Sequence, residues 1–234
     1  MNKNVAAIYE DGTYARKNQG MGDENAAWKA ANVLRMMQMG QLDPQSILEV
    51  GCGGGLILVE LQKQLSKGIS FTGYEPMPEA YERAVVRTNE HLQFKRVTVD
   101  GQAQEKFDLV LCLDVFEHVE DYFTFLRQLR NYGKSFIFHI PLDMNTQMVA
   151  RGKPIQKVRD EVGHLHYFSK FTALATLEYC GYKIKQHFYT KSWESNYHSI
   201  HNSLASLPRR LCHAIAPDLT ARILGGLPLM VLAE

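Results

Sequence analysis

The chain has 234 residues, and 26 lysine and arginine residues balance 25 aspartate and glutamate residues, which leaves a net charge of +1. This length suits one α/β domain with an elaboration, and the near-neutral charge argues against the basic stripe of a nucleic-acid-binding protein. No run of about 18 apolar residues occurs, no signal peptide is visible and the four cysteines form no C-x-x-C pair, so we expect a cytoplasmic protein with reduced thiols and no membrane span.

The first 45 residues divide into a polar lead-in and a helix. Residues 1–24 contain three separated glycines and little apolar periodicity. Residues 25–39 place small and apolar side chains at helical spacing, and Gly40 follows them as a stop. We expect this region to cap a ligand site, with Tyr9 and Tyr14 as candidate covering side chains.

Short apolar runs then alternate with amphipathic stretches. The runs at 46–50, 69–74, 94–99, 107–113 and 135–140 predict strands, and the stretches at 56–65, 78–90 and 119–131 predict helices. Such alternation indicates a Rossmann-like, doubly wound, mostly parallel α/β sheet with helices on both faces. We take residues 46–189 as this core.

The alternation stops at residues 142–166, which combine glycine, proline, charges and two histidines, and which we interpret as a lid. A helix at 168–180 and a strand at 182–189 follow. Residues 190–234 form a predicted C-terminal cap that ends in a last strand at 229–233. The amphipathic stretch 203–224 within it is better suited to a cap or a homodimer contact than to a membrane surface.

The most informative turn follows the first strand of the core. It reads Glu49-Val50-Gly51-Cys52-Gly53-Gly54-Gly55-Leu56. A dinucleotide-binding G-x-G-x-x-G pattern needs glycine at 56, where leucine stands, and the lysine of a phosphate-binding P-loop is missing. The turn instead brings bare backbone towards a ligand, with an acid beside it for a cationic group.

Further polar residues follow the next strands. Glu75 stands 24 residues after Gly51, where a carboxylate accepts hydrogen bonds from ribose hydroxyls in doubly wound folds. Asp100 and Gln102 follow the third strand, and the segment LDVFEHVED follows the fourth. All of these positions lie at the carboxyl ends of strands, where open α/β sheets bind ligands.

Together, the segments ILEVGCGGG, FTGYEP, VDGQA, FDLVLCLDVFEHVED, FIFHIP and HLHYFSKFTALATLEYCGY resemble those of the class I S-adenosylmethionine-dependent methyltransferases, particularly the group that includes ubiquinone-biosynthesis O-methyltransferases. The resemblance implies a seven-stranded sheet with an antiparallel last strand, and S-adenosyl-L-homocysteine as the product. It also implies a set of cofactor-binding residues: Glu49 and Gly51 near the methionine end, Gly53 and Gly55 in the same turn, Glu75 on the ribose, Met77, Asp100 and Gln102 around the adenine, and Leu113 and Asp114 along the pocket.

Methyl transfer to a hydroxyl of high pKa needs a base or a metal ion. His118, His139 and His166 are the candidate bases, and His164 lies near the same rim. In some ubiquinone-type relatives, acids and a histidine in the segment that matches Asp114, Glu117 and His118 are associated with a divalent metal. We favour a local role at a helix N-terminus for these residues over a metal site.

The sequence therefore predicts a methyltransferase that acts on a small molecule, with oxygen in a hydroxylated metabolite or sugar as the preferred acceptor. Three alternatives stay open at this level. They are N-methylation of a small molecule, a domain that binds S-adenosylmethionine without transfer, and an NAD(P)-dependent oxidoreductase, which Leu56 disfavours.

Overall fold

The computed structural model describes residues 25–103, 105–195 and 207–234. Within them, seven strands form one sheet in the order β3-β2-β1-β4-β5-β7-β6. The strands are β1 Ser46–Val50, β2 Ser70–Tyr74, β3 Leu92–Lys95, β4 Phe107–Leu113, β5 Gly133–Ile140, β6 Ile184–Tyr189 and β7 Leu229–Ala233. Strands β1 to β5 are parallel, and β7 is antiparallel to both of its neighbours, which confirms the predicted sheet.

Helices cover both faces of the sheet. They are α1 Ala26–Met39, α2 Leu56–Gln64, α3 Pro78–Val85, α4 Tyr122–Leu129, α5 Thr146–Arg151, α6 Lys153–Lys157, α7 Lys170–Tyr179, α8 Leu207–Ile215 and α9 Pro217–Ile223. A short 3-10 helix, Phe116–His118, follows β4, and a π-helical turn, Val158–Val162, follows α6.

Alternate residues of each central strand enter two separate apolar cores. Ile47 and Ile137 pack with α1 and α2 on one face, whereas Leu48 and Phe138 pack with α4 and α7 on the other. Because β4 is buried on both faces, its sequence is a continuous apolar run. The chain reverses its direction of sheet growth between β1 and β4, and this switch point is where open α/β sheets form a ligand crevice.

The structure corrects two predicted boundaries and the predicted irregularity of the lid. The strand predicted at 94–99 is Leu92–Lys95, and the helix predicted at 78–90 ends at Val85. There the chain turns because Asn89 accepts a hydrogen bond from the backbone of His91 at 3.0 Å and bridges to Leu92. The predicted irregular lid at 142–166 contains α5, α6 and the π-helical turn.

The C-terminal helices are tied to the lid and to α7. Thr146 in α5 donates a hydrogen bond to the carbonyl of Arg222 at 3.2 Å, and Lys170 in α7 pairs with Asp218 at 2.7 Å. In the parts of the chain that the structure describes, no helix has the length and apolar character needed to cross a bilayer. The division into 1–45, 46–189 and 190–234 and the homodimer stay predictions.

Candidate active site

The glycine turn between β1 and α2 has three glycines in the left-handed region, Gly51, Gly53 and Gly55, with φ of +70°, +54° and +78°. A Cβ on Gly51 would lie 2.7 Å from Val115, and a Cβ on Gly55 would overlap the ring of Phe94. A Cβ on Gly53 would meet no atom of the described residues within 4 Å. Gly51 and Gly55 are therefore required by packing, whereas Gly53 leaves its backbone open to a ligand.

Glu75 holds the turn against the end of β2. Its Oε2 accepts a hydrogen bond from the Gly53 amide at 2.8 Å, and its Oε1 accepts one from the Met77 amide at 2.9 Å. Burial raises the pKa of this carboxyl, which is 4% exposed. Each carboxylate oxygen has a second lone pair, so Glu75 can still accept from two vicinal hydroxyls.

Asp100 and Gln102 form a separate turn beyond β3. Asp100 Oδ1 accepts hydrogen bonds from the Gln102 amide at 2.9 Å and from the Tyr132 hydroxyl at 2.8 Å. These bonds lower the pKa of the Asp100 carboxyl. The turn is thus fixed at the carboxyl edge of the sheet, on the same side as Glu75.

Glu49, at the end of β1, is buried beside a lysine. Its side chain is 1% exposed, and its Oε2 has no hydrogen-bond partner among the residues that the structure describes. Burial raises the pKa of Glu49 to about 8, against the opposing charge of Lys29. A buried carboxylate oxygen without a partner is uncommon, and it leaves an acceptor for a ligand.

Leu113, buried at the end of β4, is followed by Asp114 in a left-handed conformation with φ of +56°. Oδ2 of Asp114 lies 2.8 Å from Lys29 Nζ. Although burial acts in the other direction, His139 and Lys29 hold the pKa of Asp114 far below its ordinary value. A non-glycine residue in this conformation is typical of a functional site.

His139 is fixed at both ring nitrogens. Its Nδ1 lies 2.6 Å from Asp114 Oδ1, and its Nε2 lies 2.8 Å from the hydroxyl of Thr190. The ring of Trp28 meets it edge-on at 5.7 Å between centroids. Because both nitrogens are engaged inside the protein, this geometry suits a residue that positions Asp114 better than one that removes a proton from an acceptor.

His118 and His164 come together at a second cluster with Glu117. The two imidazole rings meet edge-to-face at 4.8 Å, and His118 Nε2 lies 3.8 Å from Glu117 Oε1. His164 Nδ1 lies 2.6 Å from Asp143 Oδ2. Burial lowers the pKa of His118 to about 4. Glu117 is fully buried, and within the described part of the chain neither of its carboxylate oxygens has a hydrogen-bond partner.

His166 is engaged outside this cluster. Its Nε2 lies 3.0 Å and 3.2 Å from the backbone carbonyls of Val119 and Glu120, and its ring packs on Tyr122. The three predicted bases thus occupy three different settings. Tyr9 and Tyr14 lie outside the described residues.

Several buried polar atoms near Glu49, Asp114 and Glu117 have no hydrogen-bond partner among the described residues. They are one carboxylate oxygen of Glu49, both of Glu117, and the indole Nε1 of Trp28, whose ring packs against His139. Lys29 interacts electrostatically with Asp114, Glu49 and Glu117, so the carboxylates share one region. The residues present therefore fit a cationic, hydrogen-bonding cofactor that approaches Gly53.

Residues 23–187 match the model of a family described as a methyltransferase domain. The chain belongs to this methyltransferase domain family. Membership confirms the resemblance to class I S-adenosylmethionine-dependent methyltransferases, and with it the predicted cofactor.

Curated relatives of this methyltransferase include ubiquinone biosynthesis O-methyltransferases. The protein of Nitrosomonas europaea is 24% identical over 138 residues, which are 53% of this chain and 57% of that protein. The protein of Yersinia pestis is 28% identical over 119 residues, 48% of each chain. The chain therefore spans about half the length of the curated relatives it matches.

Solved structures of similar fold cover nearly the whole methyltransferase. A Haloferax volcanii putative methyltransferase, solved with the Trm112 activator, has a TM-score of 0.65 at 16% identity, with 95% of this chain and 94% of that chain covered. The N-methyltransferase NodS of Bradyrhizobium japonicum, solved with S-adenosylhomocysteine, has a TM-score of 0.62 at 16% identity and 99% and 98% coverage. At these identities the likeness shows the fold.

Sequence reasoning missed three partners in this methyltransferase: Lys29, Asp143 and Thr190. The position of Lys29 could have been noticed, because helical spacing places this charged residue on the same face of α1 as the buried Ala26 and Val33. Asp143 and Thr190 had none, since their contacts with His164 and His139 join segments 21 and 51 residues apart.

Proposed function

We propose that this methyltransferase transfers the methyl group of S-adenosylmethionine to a hydroxyl oxygen of a small molecule. The observation that supports it is the buried cluster of Glu117, His118 and His164 close to the acids at the ends of β1 and β4. A hydroxyl acceptor must lose its proton during transfer, and this cluster supplies polar groups suited to that task.

The cofactor, when bound, supplies an electrophilic methyl group on a sulfonium ion. On this chain, Gly53 leaves room for close approach, and Glu75 has acceptor capacity for the ribose hydroxyls. The carboxylates of Glu49 and Asp114 favour the cationic methionine end. These residues bind and orient the donor, which is the main protein contribution to an in-line displacement.

An acceptor beside Glu117 would be enclosed by the lid. Asp143, at the start of the lid, orients His164, at its end. Leu165 and His166 donate backbone hydrogen bonds to the Glu117 carbonyl at 2.8 Å and 3.1 Å. This arrangement holds the lid against the turn after β4 and favours exclusion of water from the reacting groups.

Oxygen is the preferred acceptor atom because a neutral hydroxyl is a weak nucleophile and benefits most from nearby groups that can take its proton, whereas a neutral amine is already nucleophilic. The names of the Nitrosomonas and Yersinia relatives also support O-methylation. NodS, which is an N-methyltransferase, makes nitrogen the second candidate.

The first experiment is calorimetric titration of the purified protein with S-adenosylmethionine and with S-adenosylhomocysteine. We expect saturable binding of both at one site. Product S-adenosylhomocysteine is then measured with a panel of phenols, catechols and sugars and a matched panel of amines. Turnover of hydroxyl acceptors supports the proposal, turnover of amines alone overturns the choice of oxygen, and binding with no turnover on either panel favours a non-catalytic binding domain.

A further inference from the structure

A line of hydrogen bonds runs from Asp114, at the end of β4, to the residue that follows β6. Asp114 Oδ1 lies 2.6 Å from His139 Nδ1, and His139 Nε2 lies 2.8 Å from the hydroxyl of Thr190. The same hydroxyl lies 3.2 Å from the carbonyl of Pro228, just before β7. His139 and Thr190 are 2% and 1% exposed, so these inner contacts are shielded from water.

The carboxylate of Asp114 fixes one ring nitrogen of His139. Burial would raise the pKa of Asp114, but His139 and Lys29 outweigh it, so the carboxyl is ionised. An ionised carboxylate only accepts hydrogen bonds, and Nδ1 of His139 must therefore carry a proton. The other nitrogen, Nε2, has Thr190 as its single hydrogen-bond partner within the described ranges of the chain.

A hydroxyl suits Nε2 because it can both donate and accept. If Nε2 has no proton, Thr190 donates its own to the ring. If Nε2 is protonated, it donates to Thr190, whose hydroxyl then donates to the Pro228 carbonyl. That carbonyl is held in place because it also accepts from the Thr190 amide at 2.8 Å. Thr190 thus supports His139 in one orientation in both protonation states of Nε2.

We propose that Thr190 is a positioning residue for the cofactor site, which acts through His139 on the orientation of Asp114. Its hydroxyl is buried and both of its contacts lie inside the protein, so it does not touch the cofactor itself. The role rests on the proposed function, in which Asp114 faces the cationic methionine end. The cofactor loses its positive charge when the methyl group leaves, and a hydroxyl partner holds the pair before and after that change.

The ring nitrogens of His139 are observed directly by NMR of the full chain made with isotope-labelled histidine. The His139 signals are assigned by their absence from the spectrum of His139→Asn. We expect a protonated Nδ1 in the wild type, with and without S-adenosylhomocysteine, and a shifted Nε2 signal in Thr190→Val. A wild-type ring with its proton on Nε2 and a bare Nδ1 would overturn the proposed line of bonds.

Calorimetric titration with S-adenosylhomocysteine measures the effect on the site. Thr190→Val keeps the shape of the side chain without its hydroxyl and should weaken binding about 10-fold, whereas Thr190→Ser should stay within about 3-fold of the wild type. Thr220→Val is the matched control, because Thr220 is 3% exposed and its hydroxyl donates to the Ala216 carbonyl at 2.8 Å. This control should lose stability and keep its affinity.

A double-mutant cycle tests whether Thr190 acts through Asp114. Asp114→Asn removes the charge that His139 holds, so Thr190→Val should change affinity less than about 2-fold in that background. The same loss in both backgrounds overturns the proposal, and so does wild-type affinity in folded Thr190→Val. Urea unfolding verifies that each variant is folded. If Thr190→Val does not fold, Thr190→Ala takes its place in the cycle.

The inference and the proposed methyl transfer fail separately. Coupled losses of S-adenosylhomocysteine affinity, without turnover of any hydroxyl acceptor, support the role of Thr190 and refute O-methylation. Turnover of a hydroxyl acceptor, with independent effects of Thr190→Val and Asp114→Asn, supports the function and overturns the role of Thr190.

Discussion

The imidazole Nδ1 of His139 lies 2.6 Å from Oδ1 of Asp114 and links the ends of β5 and β4. Asp114 is held in a left-handed conformation, and its amide donates to the His139 carbonyl at 2.9 Å. His139 therefore holds Asp114 at the carboxyl end of β4 through one side-chain contact and one backbone contact.

Removing this support should weaken both the fold and the cofactor site. We expect His139→Asn to lower the free energy of unfolding by about 1.5–3 kcal/mol, because a hydrogen bond to a charged group is lost. Urea unfolding measures the loss, and titration with S-adenosylhomocysteine measures the affinity. The exposed His91→Asn is the control, and an equal loss in both variants would contradict a specific role for His139.

Lys29 should contribute more to stability than an exposed lysine. Lys29→Met leaves the half-buried Asp114 with His139 as its remaining side-chain partner, and the loss of a hydrogen bond between charged groups costs about 1.5–3 kcal/mol. Lys63, which pairs with Glu60 on the surface of α2, is the matched control, and Lys63→Met should cost less than about 1 kcal/mol. Similar unfolding midpoints for the two variants would refute the difference.

The open space at Gly53 gives a test of the cofactor site. Gly53→Ala should weaken cofactor binding at least about 10-fold, because the new methyl group enters the space that the ligand backbone contact requires. Gly68→Ala, between α2 and β2, is the control, because Gly68 also has a positive φ (+106°) and, among the described residues, nothing within 4 Å of an added Cβ. Both variants should lose some stability because alanine disfavours a positive φ, but Gly68→Ala should retain affinity in calorimetric titration.

Glu75 provides a second test of the same site. Glu75→Ala removes hydrogen bonds to the ribose and should weaken binding of S-adenosylhomocysteine by about 1–3 kcal/mol. It also releases the Gly53 and Met77 amides, so a melt must accompany the titration. Glu79→Ala, an exposed change in the first turn of α3, is the control. Unchanged affinity in folded Glu75→Ala would exclude this carboxylate from the ribose site.

The raised pKa of Glu49 predicts opposite pH trends for stability and binding. Its pKa is about 8 in the folded protein and 4.5 ordinarily, so the folded state holds the extra proton between these values. The free energy of unfolding should fall as pH rises through this window, by at most about 1.4 kcal/mol per unit, and level off above it.

The cationic donor favours the ionised carboxylate, so affinity for S-adenosylmethionine should rise as pH approaches and passes 8. Glu49→Gln should remove this part of the pH dependence from both the free energy of unfolding and the affinity for S-adenosylmethionine. Melts and titrations at several pH values test it, and a variant that follows the wild-type curves would exclude Glu49 as the titrating group.

The fold was predictable because strands and helices leave a periodic pattern. The buried run Phe107–Leu113 was located to the residue. The cofactor edge assigned to the glycine turn and Glu75 stays a prediction. The end of α3 was not predictable in the same way. It depends on the side chain of Asn89 folding back on the amide of His91, which competes with helix geometry.

The candidate catalytic cluster was harder to predict because its contacts join residues that are far apart in the sequence. The spacing of Glu117 and His118 was visible, but the approach of His164 depends on how the lid returns to the turn after β4. His139 and His166 were predicted as candidate bases from their residue type and position alone. Their hydrogen bonds to Thr190 and to the carbonyl of Val119, which place them outside the cluster, are visible only in the structure.

The two amides that bond to the Glu117 carbonyl make the end of the lid a fixed anchor. His164 stands directly before that anchor, so its distance from Glu117 is set independently of the length of α5 and α6. Insertions or deletions between Thr146 and Val162 should therefore reshape the proposed acceptor pocket without displacing the cluster. Diversification of acceptor choice in this lineage should accordingly appear as length variation in that segment.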